Sequence, residues 1–137
     1  MVFAIRTATA DDLRSILELW GHAQVEPGHT DDFESLTKLI MHDPEAVLIA
    51  VEEAAIVGSV IAAWDGWRGT IYRLAVTPSY RRRGLGTELV GAAVRRLRAA
   101  GAVRLQAIVV ETDAQAAGFW RAGDWIEQVE RLRFTLG

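Results

Sequence analysis

Leu74 to Thr87 reads L-A-V-T-P-S-Y-R-R-R-G-L-G-T, and its residue types are those that hold an anion. An apolar run stops at Pro78, three arginines follow, and Gly84 and Gly86 open into a stretch with helical spacing. The first turn of a helix presents N–H groups that have no intrahelical acceptor, together with the positive end of the macrodipole. An anion placed there gathers several hydrogen bonds. Gly84 and Gly86 lack the Cβ atoms that would hold a phosphate off the backbone. Arg81, Arg82 and Arg83 add charge, although three consecutive side chains cannot all point inward and one or two should face solvent. The ligand expected from this chemistry is a pyrophosphate.

Other phosphate motifs fail on the same residues. A P-loop needs Gly-Lys-Ser/Thr, and the sole lysine is Lys38. The dinucleotide fingerprint needs a third glycine where Leu89 stands. Nucleic acid is disfavoured as a partner, since the chain is acidic overall and no aromatic residues interleave the arginine cluster. Cysteine is absent, which excludes disulfides, thiolate metal sites and a cysteine nucleophile. His22 and His29 are too poorly placed to signal a metal, and no metal is expected.

The elements that must position the loop follow from periodicity. The 137 residues, half of them hydrophobic, suit one domain with an ordinary core. Val2 to Thr7 reads as a strand, and Thr9 with Asp12 resembles a capping box. A helix then carries Leu13, Ile16, Leu17 and Trp20 to about Gln24, and a second runs from Thr30 to His42 with Phe33, Leu36, Leu39 and Ile40 inward. Val47–Val51 and Ile56–Trp64 suit a hairpin, and Thr70–Val76 the next strand. Residues 85 to 100 return to helical spacing, with Gly101 as a stop. Leu105–Val110 as a strand, a short helix over Asp113–Arg121 and a last strand over Arg131–Leu136 complete an α+β order with a mixed sheet.

Charge is unevenly divided. Residues 1 to 65 carry 12 acidic against 3 basic residues, and residues 66 to 137 carry 6 against 12, so a net of −3 conceals halves of −9 and +6. Fields of this kind attract an anionic ligand beside a cationic one. No stretch approaches the roughly 18 to 20 apolar residues of a bilayer span, and the first residues lack the pattern of a signal peptide. A cytoplasmic protein without a membrane partner is expected.

R-R-R-G-L-G after L-A-V-T-P resembles motif A of the GCN5-related N-acetyltransferase (GNAT) family, Arg/Gln-x-x-Gly-x-Gly/Ala, matched by Arg81, Gly84 and Gly86. The opening I-R-T-A-T-A-D-D-L is similar to the family's first strand and helix. D-A-Q-A-A-G-F-W-R-A-G-D-W is similar to its motif B. The likeness spans nearly the whole chain, and implies a single domain over 1–137 with a mixed, mostly antiparallel sheet, helices on both faces, and strands four and five splayed around acetyl-CoA. By resemblance, the pyrophosphate would lie on Arg81, Arg82, Arg83, Gly84, Leu85, Gly86 and Thr87. Leu74, Ala75 and Val76 would meet the pantetheine through backbone groups, and the Val76 N–H would polarise the thioester carbonyl. The activity implied is direct acetyl transfer to a primary amine of a small molecule or protein.

The catalytic pattern departs from the family at several points. An amine of pKa ~10.4 loses its proton at pH 7 at a cost of about 4 to 5 kcal/mol, so a base is needed. The fourth strand offers Thr70, Tyr72 and Arg73 but no carboxylate. Glu111 is the candidate base, through water, against a competing reading as a surface carboxylate paired with an arginine. The family's tyrosine acid aligns with Trp120, whose indole cannot protonate the leaving thiolate. A thiol of pKa about 8.5 can instead take its proton from water. Trp120 could still pack against the pantetheine. Asp113 stands where the motif usually has Asn, and Asp124 with Trp125 where Gly-Phe is common.

These departures motivate an alternative, a catalytically weak acyl-CoA sensor or interaction module. On the acceptor side, the resemblance points to His22–Asp32 and Trp64–Arg68, where Glu26, Asp31 and Asp32 could attract a cationic amine and Trp64 or Trp67 could wall a pocket. Their competing reading is surface and packing. A homodimer paired through exposed strands or helices is a further expectation.

Overall fold

The computed structural model describes residues 3–23, 28–109 and 114–137. The expectations placed on Glu26, Val110, Glu111 and Asp113 lie outside them. β1 (Ala4–Thr7) leads through a 3-10 turn (Ala10–Asp12) into α1 (Leu13–His22), followed by α2 (Phe33–His42). β2 (Val47–Glu52), β3 (Ala55–Trp64) and β4 (Gly69–Val76) form a meander. A second 3-10 turn (Pro78–Tyr80), α3 (Leu85–Ala100), β5 (Leu105–Ala107) and α4 (Ala114–Ala122) complete the order. The sheet order is β1-β2-β3-β4-β5, antiparallel except for β4 with β5. That parallel pair needs a crossover, which α3 supplies.

Both faces of the sheet are covered, and β2 shows why its sequence is a continuous apolar run. Val47 and Ile49 join the core under α1 and α2, with Leu13, Ile16, Leu19, Trp20 and Leu36, whereas Leu48 and Ala50 join the core under α3, with Leu85, Leu89, Ala93 and Leu97. A strand whose successive side chains point to opposite buried faces cannot alternate apolar with polar. The α+β architecture anticipated above is the one observed.

The helix starts are locally encoded. Asp12 accepts from the Thr9 N–H (2.8 Å) and hydroxyl (3.2 Å), so the capping residues work as read, although the chain enters α1 through a 3-10 turn. Arg6 reaches the same carboxylate at 2.8 and 3.0 Å, tying β1 to the helix start. Gly101 ends α3 in the left-handed conformation, φ +117°.

Four expectations are corrected. α2 starts at Phe33, because Asp32 is its cap, accepting from the Ser35 N–H at 2.7 Å. Phe33 is 44% exposed beneath the Arg14 guanidinium instead of facing the core. β5 is three residues long. Residues 131–136 form no strand: a strand needs a neighbour for its backbone hydrogen bonds, and these residues have no ladder partner among the described residues. Leu132, Phe134 and Leu136 stand exposed there.

The hydrogen bonds from Arg6, chief among several causes, lower the Asp12 pKa from 3.8 to about 2. A carboxyl depressed in the folded chain lends stability that is complete above its unfolded value and is lost as pH falls through its folded value. Arg6→Gln should therefore move acid unfolding to higher pH, the change arising between pH 3.8 and about 2, followed by circular dichroism. An unchanged acid limb would show that the Arg6 contact does not depress Asp12.

Candidate active site

β4 is the element on which the site is built, and a bulge divides it. Ser59 opposes Ala75 and Ile61 opposes Tyr72, so Val60 alone faces both Arg73 and Leu74. Arg73 takes the strain of the extra residue, at φ +53°. The parallel ladder to β5 covers Gly69, Ile71 and the residue between them, continued by the Ile108 N–H to the Ile71 carbonyl. From Tyr72 onward β4 pairs only with β3 among the described residues, and none of these takes up its other backbone edge.

The direction of each backbone group along that edge follows from one hydrogen bond. The Thr77 N–H donates to the Val57 carbonyl on β3 at 3.0 Å. Successive residues of a strand point their backbone groups to opposite sides, so those of Val76 and Leu74 face the open edge and those of Ala75 face β3. The expected backbone contacts thus have Leu74 and Val76 available, whereas Ala75 is spent on the sheet.

The arginine and glycine loop stands at the end of this edge. Gly84 caps α3 at φ +79°, with no side-chain cap on the helix, and nothing lies within 4 Å of where its Cβ would be. The first α3 hydrogen bond runs from the Glu88 N–H to the Gly84 carbonyl, so the N–H groups of Leu85, Gly86 and Thr87 precede the helical ladder. Open space beside helix-start donors that have no side-chain cap suits a phosphate group. Gly86 has a second reason for its lack of side chain: a Cβ there would stand 3.2 Å from the Phe119 ring of α4. Leu85 is buried in the α3 core.

The three arginines separate as steric crowding demands. Arg82 and Arg83 are exposed, with Arg83 over the Tyr80 ring. Arg81 turns inward and donates to the Ala23 carbonyl at 2.8 Å and to Gln115 Oε1 at 3.3 Å, joining the end of α1 to α4. Tyr80 donates to Glu52 at 2.6 Å, which raises the phenol above its ordinary range. The other oxygen of Glu52 and the Thr77 hydroxyl are buried without a hydrogen-bond partner.

On the face of α1 and α2, two expected acceptor-binding carboxylates have structural partners. Asp32 caps α2. Asp31 makes a two-pronged ion pair with Arg73, at 2.9 and 2.7 Å, and also accepts from the Gly28 N–H at 2.6 Å. Trp20, beneath the Arg73 guanidinium, donates to the buried Ser59 hydroxyl at 2.8 Å. Sequence reasoning missed this network; its one signal was an arginine within a strand otherwise apolar or aromatic after Thr70.

Trp120 packs edge-on against Phe119 and Trp125, with ring centroids 5.5 and 4.9 Å apart, beside the α3 core. The two tryptophans offered as pocket walls sit elsewhere. Trp64 packs near the α3 C-terminus at Gly101, and Trp67 is 69% exposed beside Arg68. Both lie by the turn that enters β4, about 23 Å of extended strand from its exit.

Residues 13–123 match the family model described as the acetyltransferase (GNAT) family. An acetyltransferase of Yersinia pestis is 33% identical over 124 residues, covering 90% of this chain and 88% of the relative. Another, from Pectobacterium atrosepticum, is 30% identical over 133 residues, covering 97% and 92%. The fold is also that of Ard1 from Thermoplasma volcanium (TM-score 0.77, 18% identity, 93% and 86% covered). It is likewise that of the PaiA N-acetyltransferase from Thermoplasma acidophilum, solved with coenzyme A (0.72, 16%, 89% and 88%). An aminoglycoside acetyltransferase from an uncultured soil metagenomic sample, solved with sisomicin, shares it too (0.72, 23%, 98% and 97%). The chain belongs to the GNAT acetyltransferase family and is an enzyme of the N-acetyltransferase class.

Gly84→Ala should cost about 1–2 kcal/mol in urea unfolding without ligand, because an L-residue at positive φ is strained even in open space. Gly86→Ala should cost less, since the Phe119 ring can shift by the few tenths of an ångström required. The reverse ranking would mean that helix packing, and not backbone conformation, sets the loop.

Proposed function

We propose that the chain transfers the acetyl group of acetyl-CoA directly to a primary amine carried by a small molecule or a protein. The observation that carries this reading is the conjunction of a β4 edge that no described residue pairs beyond Ile71 with an α3 N-terminus that has no side-chain cap and open space at Gly84. Acetyl-CoA supplies the activated acyl group. The N–H groups of Leu85, Gly86 and Thr87 receive its pyrophosphate, with Arg82 and Arg83 adding positive charge at the rim. The edge-facing backbone groups of Leu74 and Val76 hold the pantetheine.

Transfer proceeds by attack of the neutral amine nitrogen on the thioester carbonyl. The Val76 N–H donates to the oxygen as negative charge develops there, and the carbon–sulfur bond then breaks to release CoA thiolate. The amine proton passes through a water molecule to Glu111, the base in this proposal, and the thiolate is protonated from water. Trp120 serves as packing in this scheme, holding α4 beside the loop through Phe119 and Trp125. The cytoplasm is the proposed setting, and no described helix is long and apolar enough to cross a membrane.

Thermal melting with acetyl-CoA, CoA and ATP tests the cofactor site, because a ligand bound only by the folded chain raises the midpoint by mass action. Both CoA species should raise it and ATP should have little effect. Turnover is then followed as thiol release with benzylamine, with sisomicin, and with a peptide bearing a free N-terminus and an internal lysine. Gly84→Leu should raise the KM for acetyl-CoA at least about tenfold. Absence of a shift with either CoA species would overturn the cofactor reading, and CoA binding without turnover on any amine would favour a sensor instead.

A further inference from the structure

Two arginines beside the unpaired part of β4 each reach a residue between α1 and α2, and Arg81 also donates to Gln115 of α4. Arg81 donates to the Ala23 carbonyl, at the end of α1, where the helix leaves acceptors unpaired and a cation is favoured by the macrodipole. Arg73 grips the Asp31 carboxylate with both prongs of its guanidinium. Asp31 in turn accepts from the Gly28 N–H and donates its own N–H to the Gly28 carbonyl, so residues 28–31 form a closed turn.

The fit between turn and strand is close. A Cβ on Gly28 would stand 2.2 Å from Nη2 of Arg73, so any other residue there would make the guanidinium shift. The ion pair is largely shielded from solvent, at 21% and 13% side-chain exposure. Trp20 lies under the guanidinium and is fixed by Ser59, which pairs with Ala75 across the β3–β4 ladder. Charge, ring and strand thus form one connected unit.

Its location gives the unit a function. Antiparallel partners point to the same face, so Tyr72 lies with its partner Ile61 on the side of α1 and α2. The bulge places Arg73 on that face too, where it meets Asp31 and Trp20. The Gly28–Asp31 turn therefore stands beside the first residues of the open edge, on the face opposite α3.

We propose that Arg73 and Arg81 are positioning residues that hold the Gly28–Asp31 turn and Ala23 against β4 and so shape the acceptor side of the cleft, while cofactor affinity rests on the first turn of α3. The inference rests on the acetyl-transfer reading above, in which a cofactor occupies the open edge. It assigns Arg81 to the acceptor side although it belongs to the loop sequence, and gives Asp31 the role of an internal counter-ion instead of a ligand for a cationic amine.

The test compares wild type with Arg73→Gln, Arg73→Lys, Asp31→Asn, Arg81→Gln and the double variant Asp31→Asn/Arg73→Gln. Two readouts need no acceptor: calorimetric affinity for CoA, and hydrogen exchange at the Gly28 amide. Each single variant at Arg73 or Asp31 should lower Gly28 protection about tenfold, with the CoA Kd kept within about threefold. Arg81→Gln should keep the CoA Kd within the same limits.

With whichever of benzylamine, sisomicin or the peptide the wild type acetylates fastest, Arg73→Gln, Asp31→Asn and Arg81→Gln should each lose about tenfold in kcat/KM, chiefly through the acceptor KM. Arg73→Lys should retain part of it. The double variant should be no worse than Arg73→Gln, as coupled partners require. A CoA Kd raised about tenfold by Arg81→Gln or Arg73→Gln, unchanged Gly28 protection, or an unchanged acceptor KM would each overturn the proposal. Failure of wild type to bind CoA would instead remove the acetyl-transfer reading, a result the thermal shift identifies before any variant is made.

Discussion

The extra residue in β4 is the constraint on which the rest of the site depends. An antiparallel ladder with one residue too many must bend and twist locally, and here the burden falls on Arg73, in the left-handed region. Before the bulge, β4 has a neighbour on each side; after it, only β3 remains among the described residues. The sheet therefore ends in a strand whose inner side is anchored and whose outer side presents backbone donors and acceptors. Such an edge is ordinarily a hazard for aggregation. In an acyltransferase it is where an extended cofactor can add itself to the sheet.

The bulge also sets two consecutive side chains on one face, and the charge distribution makes use of that. The acidic half of the sequence supplies Asp31 and the basic half supplies Arg73, so part of the electrostatic contrast between the halves is internal pairing. Arg96 with Asp43 is a further pair across the same division. At the entry to α3, Arg82 and Arg83 are exposed and the helix has no side-chain cap.

The aromatic side chains of α4 have a related role. Phe119, Trp120 and Trp125 interlock edge to face, and Phe119 lies over Gly86 of the loop. Trp120 contributes a large ring to this set, beside the α3 core.

Much was legible in the sequence because it was local. The hairpin of β2 and β3, the Thr9 and Asp12 cap, the long α3 and its Gly101 stop all depend on residues a few positions apart, whose periodicity and turn chemistry are written consecutively. The arginine and glycine loop was legible for the same reason. The strand expected over 131–136 fails because alternation records which residues would suit a strand, not whether a partner edge is near. The bulge, the Arg73–Asp31 pair across 42 positions, the Arg81–Ala23 bond across 58 and the Trp20–Ser59 bond across 39 are decided only when the sheet sets its register and the helices close over it. The sequence by itself thus determined that a loop of three arginines and two glycines enters α3. The tertiary structure decided where Arg73 and Arg81 turn, because each of these guanidiniums goes to the carboxylate or carbonyl that folding places in reach.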